Sequence, residues 1–370
     1  MEPLRERHER VVIGVEIEAY TIRVPGYRIS RQMAFPRRGV GEKGERFARD
    51  ASIGTEYNSP PFSSVREGLF LLKAGLRKYS HKYYRMRSPE RASKQLLLVG
   101  GWRDRFAGAH LHLSLADTEL TKVRARQLAW HLHDHIPLFV AIGANSPIWA
   151  DRITDVASNR VDRASRKYFR PVARTELTQR TYDEMLFSRG RKRKPATLEL
   201  RVLDSNIPEL VITAATLVKA LALSWLDRRP ALNRIPKAAY LESRADAARR
   251  GMGAQLCWNG QWVTVPRYLD LMVWGLRRTL VQMQIPEEIS LALKLLKRRT
   301  NGAALLATAA RAAYEEHPQT WQQRFARRYV EALDYLLAGN TVVDFIKRLR
   351  LPPPALDGVW LGRRNLRPFS

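Results

Sequence analysis

Cysteine is nearly missing from this chain. Cys257 is the only one in 370 residues, which excludes a disulfide-stapled scaffold and predicts a reducing, cytoplasmic setting. Acidic charge is also short: 36 Asp+Glu stand against 64 Lys+Arg, for a formal net charge of +28. No stretch approaches the roughly 18 apolar residues that span a bilayer, and Met1 to Arg10 is charged where a signal peptide would turn apolar, so no membrane partner is expected. Internal repeats and low-complexity linkers are absent.

What is present is enough for a core. A hydrophobic content of 45% with 9% aromatics excludes a disordered chain. The cationic surplus favours anionic partners, such as nucleotides, nucleic acid or an acidic substrate, but carries no information about fold.

The first 208 residues read as strands mixed with helices. Val11 to Tyr20 (VVIGVEIEAY) alternates like a half-buried strand, and further strands are expected near Ile53 to Asn58, Gln95 to Val99, Ala109 to Leu115 and Ala196 to Leu203. Ser64 precedes a helical pattern that runs to about Tyr84, and a second helix is expected from Leu120 to Ile142. Residues 209–350 read as long helices: Leu210 to Leu226, Pro266 to Gln284, Pro286 to Lys297, Ala303 to Glu316 and Thr320 to Ala338. A sheet-rich catalytic core at 1–208, a helical part at 209–350 packed on it, and a tail at 351–370 are the economical division.

Three of the strands share one feature. Residues i and i+2 of a strand face the same way, so Glu16 with Glu18, His110 with His112, and Glu199 with Arg201 each put polar pairs on one face of an otherwise apolar segment. Such groups are expensive to bury unpaired. Three pairs together predict one polar sheet surface that gathers carboxylates and imidazoles, a donor set for hard divalent cations such as Mg²⁺ or Mn²⁺. An arginine among them suits a phosphate or carboxylate. Asp50 and Glu56, in DASIGTEYNSPPF, would add acids to that surface.

The ordered set GVEIE, D-x5-E followed by SP, GAHLHL, ANSPIWADR and TLELRVLD resembles the carboxylate-amine ligases related to glutamate-cysteine ligase, which share the catalytic fold of glutamine synthetase. LESRADAARRGM, from Leu241 to Met252, is similar to another segment of that family. The resemblance implies an α+β fold in which a curved, mainly antiparallel sheet forms a funnel for ATP and divalent ions. It implies metal ligation by Glu16, Glu18, Glu56, His110 and Glu199, with Asp50 a weaker ligand. His112 would lie near the nucleotide phosphates, and Arg201 would hold phosphate. Arg152 and Arg160 would meet the acyl substrate or the transferring phosphoryl group, with Ser158 beside them. The implied reaction joins a carboxylate, most plausibly glutamate's, to an amine through an acyl phosphate, with ATP and Mg²⁺ (or Mn²⁺) as cofactors and amino acids as small-molecule substrates. A homo-oligomer is expected.

Other features compete less well. His131 and His135 in HLHDH stand one helical turn apart like a zinc pair, but no Cys or acidic partner completes the set and a packing role is the better reading. Gly39, Gly41 and Gly44 fit neither phosphate-loop nor dinucleotide spacing, and Cys257 reads as packing. RGRKRK, Arg189 to Lys194, reads as a solvated loop or as a basic flap that meets an acidic peptide, protein or nucleic acid. The alternative to the ligase is therefore a basic binding protein that reuses the fold.

Overall fold

The computed structural model describes residues 7–30, 39–40, 46–48, 53, 56–84, 93–163, 171, 174, 184–191 and 194–351. In β1 (Val11–Glu18), Val11, Ile13, Val15 and Ile17 are each at most 1% exposed and form the core face. The alternate residues Val12, Gly14, Glu16 and Glu18 turn to the opposite face. β1 pairs with β6 (Glu56–Asn58) on one side and β8 (Gly108–Leu115) on the other. Beyond β8 come β12 (Thr197–Asp204) and β11 (Met185–Ser188), and beyond β6 come β5 (Arg46–Ala48) and β4 (Gly39–Val40). Every pairing in the resulting order β11-β12-β8-β1-β6-β5-β4 is antiparallel. A smaller sheet has the order β3-β2-β7, formed by β2 (Tyr20–Val24), β3 (Arg28–Ser30) and β7 (Ser93–Leu97). Two hairpins complete the strands among the described residues, β9 (Ile148–Trp149) with β10 (Arg152–Ile153), and β13 (Gln255–Trp258) with β14 (Gln261–Thr264).

The helices are α1 (Val65–Tyr84), α2 (Lys122–Leu132), α3 (Ile136–Gly143), α4 (Asn159–Arg163), α5 (Pro208–Leu226) and α6 (Lys237–Arg250). They continue as α7 (Val265–Gln282), α8 (Glu287–Lys297), α9 (Gly302–Glu316), α10 (Trp321–Leu337) and α11 (Val342–Arg348). The starts of α2, α7, α9 and α11 are set by side chains that accept orphan N–H groups: Thr121 from Arg124, Thr264 from Arg267, Asn301 from Ala304, and a reciprocal Thr341–Asp344 box. The single helix expected over Leu120 to Ile142 is instead α2 and α3, separated by a 3-10 turn at His133–His135. Pro137, in the first turn of α3, has no N–H with which to continue the α2 ladder.

α5 packs beneath β1 and carries an unbroken series of buried residues from Pro208 to Ser224. It corrects the expectation that no segment is apolar enough to span a bilayer. By length and composition it qualifies, but 89% of the qualifying window is buried inside the protein. Its two buried charges have specific partners. Lys73 of α1 meets Glu209 at 2.6 Å and donates to the Asn340 carbonyl at 2.8 Å, while Lys219 donates to the Val11 carbonyl.

The histidines of HLHDH pack rather than ligate. His133 Nδ1 lies 2.9 Å from Asp134 Oδ1 and the ring stacks on Tyr240, while His135 Nδ1 lies 2.9 Å from the Tyr268 hydroxyl. Burial pushes His131 down to about 4 and His135 down to about 3. In the unfolded chain both would titrate near about 6.5, so between those values the unfolded state binds more protons and acidification favours it. Lowering the pH from 6.5 to 5 should therefore withdraw on the order of 2 kcal/mol per histidine. The check is urea unfolding at both pH values, with His135→Gln, if it folds, showing a flatter dependence.

Candidate active site

Register alone assembles the polar face. Glu16 stands opposite His110 on β8 and opposite Asn58 on β6, and Glu18 stands opposite Glu56. His112 stands opposite Gly14 on one side and Glu199 on the other. Directly opposed residues share a face. Glu199, His110, His112, Glu16, Glu18 and Glu56 thus form a band across four strands, with Leu111, Leu113, Leu198 and Leu200 facing the core behind it.

The contacts in that band are close. His112 Nε2 lies 3.1 Å from Glu16 Oε1, while His110 Nδ1 lies 3.4 Å from Glu16 Oε2 and 3.3 Å from Glu199 Oε1. Burial opposes a charge on Glu16, yet His110 and His112 hold its carboxyl well below the usual carboxylate range. Burial likewise opposes a charge on His110, but Glu16, Glu18 and Glu199 raise it toward its protonated form. Glu18 accepts the Gly108 N–H at 2.6 Å, and Glu56 accepts from the Asn58 amide at 2.6 Å.

One ligand atom from each of Glu16, His112 and Glu199 lies within 4.8 Å of the others, a spacing that could hold a metal ion. His112 Nε2 is buried and, despite its closeness to Glu16, makes no well-formed hydrogen bond. A buried nitrogen beside the Glu16 carboxylate, with Glu199 close by, fits a divalent cation, and two carboxylates beside one imidazole suit Mg²⁺ or Mn²⁺. His112 is the histidine of this donor group, and His110 lies between the carboxylates of Glu16 and Glu199. Glu18 and Glu56 lie on the same face next to the group. Asp50 lies outside the described residues.

The arginines gather at one end of this face. Pairing of β12 with β8 shifts by one residue between Leu200 and Leu203, so Arg201 and Val202 together oppose His110. This bulge reverses the alternation. Asp204, opposite Gly108, therefore returns to the polar face shared with Glu199. Arg201 Nε lies 3.2 Å from Glu199 Oε1. Arg160, on α4, is buried and donates to the carbonyls of Leu203 at 3.2 Å and Arg201 at 2.9 Å. A Cβ placed on Gly108 would come within 2.5 Å of Arg160 Nη2 and 2.9 Å of His110 Nε2, so glycine is what lets the guanidinium lie over the strand beside the histidine.

Asp204 organises the loop that carries Arg160. Its carboxylate accepts from the Asn145 N–H at 2.8 Å, the Ser146 hydroxyl at 2.7 Å and the Ser158 hydroxyl at 3.0 Å. Ser158 also accepts the Val161 N–H at 3.2 Å and has no exposed surface. Its hydroxyl donates to Asp204 and so helps to hold the loop that carries Arg160. Arg152 is not brought to the cluster. It is exposed on β10, in a hairpin separate from the large sheet, where Ala150 and Asp151 turn with φ of 49° and 60°.

The basic run closes the opposite end. Arg191 and Lys194 exchange backbone hydrogen bonds, both 2.8 Å, across the β11–β12 connection, and Lys194 Nζ lies 4.0 Å from Glu16 Oε1. Arg191 and Lys194, of the basic run, thus lie beside the donor group. Sequence reading did not single out Asp204, Gly108 or this contact of Lys194.

No protein-family model matches the sequence, and no curated protein does. Solved structures match in fold, and those described here are ligases and a synthetase. A complex of the prokaryotic ubiquitin-like protein Pup with its ligase PafA is similar with a TM-score of 0.60 at 11% identity, over 95% of this chain and 82% of that one. The glutamate-cysteine ligase of Francisella tularensis, in complex with AMP, gives 0.56 at 13% identity over 92% of both chains. A bifunctional glutathione synthetase from Pasteurella multocida gives 0.55 at 13% identity, over 94% of this chain and 56% of that one. The α+β class with an antiparallel sheet and a helical C-terminal part is the fold shared with these ligases, in agreement with the resemblance drawn from the sequence motifs.

Proposed function

We propose that the chain is an ATP-dependent carboxylate-amine ligase acting on a glutamate carboxylate. The observation that carries this reading is the Glu16–His112–Glu199 donor group with Arg201 and Arg160 at its edge. Phosphoryl transfer asks a protein mainly for positioning and charge neutralisation, and this face offers both. Glu16, His112 and Glu199 would hold a divalent ion, which when bound neutralises the phosphate oxygens of ATP. Arg201 and Arg160 would meet the transferring group. A carboxylate oxygen of the acyl substrate attacks the γ-phosphorus, the bond to the β–γ bridging oxygen breaks, and ADP leaves. The amine then attacks the acyl carbon of the acyl phosphate, phosphate leaves, and the nitrogen gives up its proton to form the amide.

The test is ADP release with Mg²⁺ across a panel of acid and amine pairs, expected to require both. Failure across the panel, with residual turnover indifferent to Glu16→Ala, would sink the ligase. Gly108→Ala should lower kcat by about 10²-fold by displacing the Arg160 guanidinium, since misplacement by about 1 Å costs that much. Circular dichroism should stay native, and unchanged turnover would remove Arg160 from the proposed chemistry.

A second reading is favoured by the Lys194 contact. The acyl substrate would be an acidic peptide or protein, drawn to Arg191 and Lys194 beside the site. The similarity to a ligase solved in complex with the protein Pup supports a macromolecular partner. Arg191→Glu with Lys194→Glu should raise KM for an acidic acyl substrate about tenfold and steepen no salt dependence for ATP. Equal effects on both substrates would argue against this reading.

A further inference from the structure

We infer that Glu184, Tyr240 and Arg244 are positioning residues for Arg201, an inference that rests on the ligase reading above. A bulge leaves its extra residue without a ladder partner. At the β12 bulge the Arg201 N–H is taken up from the β11 side by the carbonyl of Glu184, at 3.0 Å, while the Arg201 carbonyl accepts from Arg160 at 2.9 Å. Both backbone groups of Arg201 are therefore pinned, and Glu184 is one of the two pins.

Glu184 is itself fixed by charge. It is 2% exposed, and its carboxylate receives the Tyr240 hydroxyl on Oε2 and Arg244 Nε on Oε1. Tyr240 and Arg244 both lie on α6, and Tyr240 is stacked on His133, whose Nδ1 meets Asp134. A buried carboxylate, phenol and guanidinium are a poor way to fill space, since apolar side chains of similar volume do so at least as well. What they supply is direction. The same helix ends by accepting the Ser158 N–H on the Ala248 carbonyl at 2.8 Å and the Ala157 N–H on the Arg249 carbonyl at 2.9 Å. α6 thereby braces the Arg201 strand with side chains and the Arg160 loop with backbone, which gives a task to the Leu241 to Met252 segment that the sequence motifs left without one.

A double-mutant cycle tests this. Affinity for a fluorescent ATP analogue with Mn²⁺ is measured for wild type, Glu184→Gln, Arg201→Ala and the double variant, and the cycle is repeated on ADP release. Glu184→Gln should weaken analogue binding about fivefold and Arg201→Ala by more, with the double variant within twofold of Arg201→Ala alone, because Glu184 acts only through Arg201. Tyr240→Phe keeps the ring and should reproduce the smaller loss, and Arg244→Lys should retain more affinity than Arg244→Ala. Losses that multiply in the double variant, or that follow the fall in Tm rather than the presence of Arg201, would overturn the inference. A wild type that binds no analogue would sink the ligase reading and this inference with it, whereas a binding wild type with additive losses sinks the inference alone.

Discussion

Glu16→Gln should abolish divalent-ion binding at the sheet and lower kcat for ADP release by roughly 10²–10³-fold, the scale of losing one preorganised charged group at a phosphoryl-transfer site. Glu16 is the shared member of the cluster: one oxygen faces His112 at 3.1 Å and Lys194 at 4.0 Å, and the other faces His110 at 3.4 Å. The amide keeps the shape and withdraws the charge, so the fold should persist. Mn²⁺ binding followed by electron paramagnetic resonance separates this from a general loss of activity. An unchanged Mn²⁺ affinity in the variant would remove Glu16 from the ligand set, whatever its turnover.

The second large effect concerns stability. Lys73→Met should destabilise the protein by about 3–5 kcal/mol, the usual cost of leaving one member of a buried ion pair alone. Lys73 ties α1 to α5 through Glu209 and to the residue before the α11 cap, Thr341, through the Asn340 carbonyl. Burial raises the Glu209 carboxyl against the pull of Lys73, so removing the lysine should drive that carboxyl to protonate. Lys73→Met combined with Glu209→Gln should recover part of the loss, because no unpaired charge is then buried. Urea unfolding of the three variants measures it, and equal midpoints for wild type and Lys73→Met would show that the pair contributes nothing.

Much of the site was legible because it is written in strand alternation. Glu16, His112 and Glu199 were each marked by an i, i+2 polar pair in an apolar run, and antiparallel register needed only to bring those runs side by side. The contacts of the two histidines were not legible. Which imidazole points at which acid depends on side-chain placement, and His110 is drawn between two carboxylates that sequence cannot locate. α6 was not read as a helix for a different reason. It buries Tyr240, Ser243, Arg244, Ala247 and Ala248, a face too small and too polar to give an apolar period. Ser158 was read for its loop and not for Asp204, because the bulge that carries Asp204 round to it breaks the two-residue period on which strand reading depends.

That bulge also makes the site's polarity a matter of counting. Glu199 and Asp204 differ in parity, and in an uninterrupted strand one would enter the apolar layer occupied by Leu198 and Leu200. The single extra residue at Arg201 and Val202 lets one strand place Glu199 beside Glu16 and His112 and Asp204 under the loop. Chain length between the two acids is therefore a tighter constraint than the identity of Val202: many apolar side chains can stand there, but deleting the position would exchange the inside and the outside of the strand beyond it.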